Sequence, residues 1–139
     1  MARLIILALV MLVTWPVAAK QGPPKAFKCL FTSSVAAEDN GKGLASEPTG
    51  PMAFTLASVD IKAKTAQLIG NAGADKVTVL TGDHGLHFMN LTGTDNFIVT
   101  TVFASTDANG KFHSVHSRHV SLGDKPIVSQ YYGSCEGLW

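Results

Sequence analysis

The chain has 139 residues, with 11 lysines and arginines against 10 aspartates and glutamates. That length suits a single domain, and basic residues scattered along the chain with no net excess do not make the clustered positive field that nucleic acid or anionic lipid requires. Part of the 46% apolar content lies at the N-terminus, and the remainder still suffices for a modest core.

The first segment, "MARLIILALVMLVTWPVAA", carries Arg3, then an apolar run from Leu4 to Val13, and ends in Val17-Ala18-Ala19. A basic residue, a short apolar stretch and small residues before a cleavage point make residues 1–19 a secretory signal peptide, cut after Ala19. The run is too short to span about 30 Å of hydrocarbon, and Pro16 interrupts it, so membrane anchoring is not expected. The mature chain, residues 20–139, then holds ten basic and ten acidic residues, and Arg118 is its only arginine. Its expected location is the periplasm or the medium outside the cell.

The mature chain reads as short β-type runs separated by turn residues. "AFKCLFTSSV" at 26–35 alternates Phe27, Cys29 and Phe31 with polar or smaller neighbours. Residues 36–50, polar and rich in glycine and proline, read as a long loop. "MAFTLASVDI", "TAQLIGN", "KVTVLTG", "GLHFMNLT", "NFIVTTVFA", "FHSVHSRHV" and "IVSQYYGSC" follow. Between them stand segments with turn chemistry, including a hairpin turn at "GNAG", residues 70–73. No stretch of helical length holds a 3.6-residue apolar period.

Eight strands at this regular spacing predict an all-β domain, an antiparallel meander closed into an up-and-down barrel, with a β-sandwich as the alternative. The two cysteines, Cys29 and Cys135, fall in the first and last strands, which an up-and-down barrel pairs. An even cysteine count in an exported chain points to a disulfide between them. That bond closes a loop of more than a hundred residues, worth roughly 4–5 kcal/mol by loop entropy.

"LIGNAGADKVTVL", "VHSRHV" and "SQYYGSC" resemble segments of a group of small exported bacterial proteins without an assigned activity. The resemblance spans most of the mature chain. It implies a bacterial exported protein and carries over no catalytic or binding residue.

Three of the five histidines crowd into "KFHSVHSRHV", residues 111–120. Metal ligands must converge on one point about 2 Å away. Strand parity instead puts His113, Val115, Ser117 and His119 on one face, and Phe112, Ser114, His116, Arg118 and Val120 on the other. His113 and His119 are then about 20 Å apart, at about 3.3 Å per residue. A metal site would need His84 or His87 from elsewhere, and neither a metal nor another cofactor is expected. "GSCEG" at 133–137 matches the nucleophile-elbow pattern, but that elbow needs a helix after the nucleophile, and two residues follow Gly137. Cys135 therefore reads as a disulfide partner, and no catalytic residue is assigned.

The polar strand leaves one candidate. If His116 and Arg118 face the barrel lumen they need partners, because unpaired buried charge costs several kcal/mol. The forked guanidinium suits a carboxylate or phosphate, so the two residues are the candidate floor of a small ligand cavity. The competing expectation is a solvated, two-sided polar strand end. Non-catalytic binding of a small ligand is the expected function. The alternatives are a protein-interaction module, such as an inhibitor of a secreted enzyme, presenting the 36–50 segment or the "SLGDKP" turn, and more remotely an outer-membrane barrel suggested by Trp139.

Overall fold

A computed structural model describes residues 22–123 and 125–139; the signal peptide expected over residues 1–19 lies outside the described residues. The elements are all strands: β1 (Ala26–Asp39), β2 (Leu44–Pro48), β3 (Met52–Asp60), β4 (Thr65–Gly70), β5 (Gly73–Gly82), β6 (Gly85–Leu91), β7 (Phe97–Thr106), β8 (Phe112–Leu122) and β9 (Lys125–Leu138). β1 pairs with β3, β3 through β9 pair in sequence, and β9 returns to pair with β1. All pairings are antiparallel. The result is a closed eight-stranded barrel, as the spacing predicts, with β2 as an added strand; the sandwich alternative is excluded by the β1–β9 closure.

The alternation of side chains explains which face turns inward. Phe27, Cys29 and Phe31 of β1, Phe54 and Leu56 of β3, Val77 and Val79 of β5, and Phe88 and Val102 of β6 and β7 are all buried. Their neighbours Lys28, Gln67, Lys76, His113 and Glu136 are exposed on the outer surface. The lumen is therefore a packed core, as an eight-stranded barrel allows. Phe27 meets Phe88 and Phe112 edge-on, with ring centroids 6.0 and 5.8 Å apart, the arrangement aromatic quadrupoles favour. Two-residue hairpins, Asn71-Ala72 and Asp83-His84, link β4 to β5 and β5 to β6.

Residues 36–50 are not a loop. β1 continues to Asp39, and β2 returns beside it in register from Asp39↔Leu44 to Val35↔Pro48. The turn chemistry is confined to residues 40–43, where Gly41 and Gly43 take positive φ and Asp39 Oδ1 accepts from the Gly41 amide at 2.9 Å. The flanking "VAAED" and "LASEP" have weak β-propensity. They are extended because β9 pairs with β1 as far as Glu38↔Ile127, a tertiary constraint that overrides local preference. Thr49 is tied back to β1 through Ser34 Oγ, which accepts from Thr49 Oγ1 at 2.7 Å.

Cys29 and Cys135 stand directly opposite each other, Cα atoms 4.0 Å apart, and form a disulfide inside the core. The "GSCEG" glycines have a packing explanation. A Cβ on Gly133 would collide with the Leu30 carbonyl oxygen and stand 2.6 Å from Phe31 Cα. It sits where β1 bulges between Phe31 and Ser33, so close backbone approach, not nucleophile geometry, requires glycine there.

Candidate functional site

β8 presents Phe112, Ser114, His116 and Arg118 to the lumen and turns His113 and His119 outward. The expectation of a solvated strand end is thereby corrected: His116 is 3% exposed. The reason is its level in the barrel. Its cross-strand neighbours are Thr100 on β7 and Tyr131 on β9, and Tyr131 is opposite Ser34 on β1. Four adjacent strands thus contribute one polar side chain each at the same height, in a wall that is otherwise apolar.

The imidazole is boxed by aromatic rings. Its centroid lies 5.1 Å from Phe54, 5.7 Å from Tyr131 and 5.9 Å from Phe31. Nδ1 is 2.8 Å from Thr100 Oγ1. His116 also borders the cleft described below. Burial first, and the neighbouring Arg118 cation second, lower the pKa of His116 from 6.5 to about 4, so the ring is neutral at physiological pH.

One level further out, Ile98, Arg118, Ser129, Ala36 and Glu47 follow one another across β7, β8, β9, β1 and β2. The small side chains of Ser129 and Ala36 leave the guanidinium room beside Tyr131. The Tyr131 phenol is set by opposing causes. Burial pushes its pKa up, while hydrogen bonding from Thr49, Ser129 and Arg118, with the Arg118 charge, pulls it below the ordinary value.

His116, Arg118 and Ile98 edge a cleft of about 360 Å³ at the end of the barrel that carries the β4–β5 and β6–β7 turns. Met52, Phe54, Leu68 and Ile98 give it an apolar floor, and His116 and Arg118 line one side. Asp75, Thr92 and Asn96 also line it. Asn96 is anchored within its turn. Its backbone N–H donates to Thr92 Oγ1 at 3.2 Å, its backbone carbonyl accepts from the Thr92 N–H at 2.9 Å, and its Nδ2 donates to Thr94 Oγ1 at 2.8 Å. Among the described residues its Oδ1 is buried without a partner.

Of the residues singled out from the sequence, His116 and Arg118 come together and Cys29 meets Cys135. The remaining histidines do not join them. His84 sits in the β5–β6 turn, and His87 faces outward with Nδ1 3.0 Å from Thr101 Oγ1. Among the described residues no group of three or more His, Cys, Asp or Glu side chains is placed to hold a metal. Thr100, Tyr131, Asp75 and Asn96 escaped sequence reasoning. Parity alone marks Tyr131 as sharing a face with Cys135, but the level at which strands meet depends on register, which no local motif encodes.

Compared with known protein families and with characterised proteins, the chain matches none.

Proposed function

We propose that the protein is an exported barrel that binds a small anionic compound, a carboxylate or phosphate, in the cleft above His116 and Arg118. The observation that carries this reading is that Arg118 and the buried His116, whose Nδ1 is held by Thr100, line the same cleft. A charge-assisted hydrogen bond from such a guanidinium contributes roughly 1.5–3 kcal/mol. The apolar floor lowers the polarity on that side of the contact and strengthens it. The reading is one of binding, since the cysteine in the elbow-like motif is held in a disulfide.

Export to the periplasm or beyond is supported by the signal-peptide pattern of residues 1–19, by the resemblance to exported bacterial proteins, and by a disulfide of the kind that oxidising compartments maintain. The outer-membrane alternative fits poorly. Such barrels are apolar outside and polar inside, whereas here Lys28, Lys76 and Glu136 are exposed on the outside and phenylalanines fill the inside. Trp139 donates its indole N–H to the Gly22 carbonyl at 2.9 Å, a role within the fold. The interaction-module alternative would use the open edge of β2, but Glu47 and Pro48 blunt that edge.

The test is a thermal-shift screen of carboxylates and phosphates on the wild type and on Arg118→Ala. A ligand that prefers the folded state raises the melting temperature by mass action. The expected result is a set of anions that stabilise the wild type alone. Equal responses from both proteins to every anion would remove the binding reading.

A further inference from the structure

The cleft has two chemically opposite sides. Arg118 projects from β8, whereas Asp75 projects from β5 on the parity of the inward-facing Val77 and Val79, with β6 and β7 between. Asn96, in the β6–β7 turn, lines the cleft on this side as well. Its orientation is fixed, because the backbone N–H and Nδ2 of the same residue are both bonded within the turn. A simple anion uses Arg118 but leaves the Asp75 carboxylate on the same cleft without a counter-charge. An N–H-bearing cation at the other end of the same molecule supplies it. The floor of Met52, Phe54, Leu68 and Ile98 between them suits an apolar body.

From this arrangement we infer that the ligand is a small zwitterion of the apolar amino-acid class. Its carboxylate sits on Arg118, its ammonium faces Asp75, and its side chain lies on the apolar floor. This assignment rests on the anion-site reading and adds the second charge to it. It also sets the selectivity: a site built to receive N–H donors discriminates against analogues that lack them.

Isothermal titration separates the two. The probes are leucine and phenylalanine, their des-amino analogues 4-methylpentanoate and 3-phenylpropanoate, and inorganic phosphate, on the wild type, Asp75→Asn and Arg118→Ala. The amino acids are expected to bind the wild type about tenfold or more tightly than the des-amino acids, a gap of one charged contact. Asp75→Asn should close that gap while leaving the des-amino acids unchanged, and Arg118→Ala should weaken every probe. Asp75 is exposed, so its substitution leaves the core intact, and melting temperatures verify this. If amino and des-amino acids bind alike, or Asp75→Asn changes nothing, the zwitterion assignment is overturned and the anion site stands. If no probe binds the wild type, the anion site and the zwitterion assignment fall together.

Discussion

Thr100 Oγ1 and His116 Nδ1 lie 2.8 Å apart across β7 and β8 inside the barrel. That bond occupies one imidazole nitrogen with a neutral partner and orients the ring among Phe31, Phe54 and Tyr131 at the edge of the cleft. It also places a titratable group where charging it is unfavourable, which has consequences for stability.

The folded pKa of His116, about 4, lies below the ordinary 6.5. Between those values the unfolded chain binds the proton and the folded chain does not, so stability rises with pH. The contribution is complete above pH 6.5 and is lost as pH falls toward about 4, to an extent of up to about 3 kcal/mol. The ionisable groups around the ring are Arg118 on β8, Tyr131 on β9 and Asp75 across the cleft; β1, β3 and β7 contribute Phe31, Phe54 and Thr100. Denaturant unfolding from pH 7 to pH 4 should show a steeper loss for the wild type than for His116→Gln. Parallel curves would mean that the ring is solvated.

Removing the cation separates the two causes of that shift. In Arg118→Ala the His116 pKa, followed by NMR, should rise but remain below 6.5, because burial is the larger cause and survives the substitution. A return to 6.5 would assign the whole effect to Arg118.

The disulfide joins strands at the barrel's closure over a sequence separation of 106. Unfolded, unreduced protein should show no free thiols. Replacing both cysteines with serine should lower stability by up to roughly 4–5 kcal/mol by loop entropy, while the β-type circular dichroism spectrum persists.

Gly133→Ala should destabilise by a few kcal/mol, because the added carbon meets backbone on β1 that has no room to move. Gly50→Ala is the control, since nothing lies within 4 Å of its Cβ position. Equal melting temperatures for the two variants would contradict the close approach of β9 to β1.

The sequence carried most of the barrel and half of the site. Alternation in β1, β3 and β5 is strong because Phe, Val and Leu fall on one parity, and the cysteines announce which strands close the ring. The β1–β2 extension was hidden. Ala36, Ala37 and Ala45 carry no β signal, and their strand exists through pairing with β9 and β1. At the site, parity put His116 beside Arg118 but left open which face looked inward. That was decided by Phe112 and Ser114 packing against Phe27 and Cys135. Asp75 and Asn96 lie 43 and 22 residues before Arg118 in the sequence, and the register of the β5 to β8 hairpins brings them to the same cleft.

An anion site above His116 and Arg118 is tested most directly by NMR of the histidine side chains during titration with inorganic phosphate. His84, in a turn, and His113, on the outer face, serve as internal references. Phosphate should produce saturable shifts at His116 and raise its apparent pKa from about 4, because a bound anion favours the charged imidazole. The references should stay constant. Shifts that are absent at His116, or equal at all three histidines, would contradict the site.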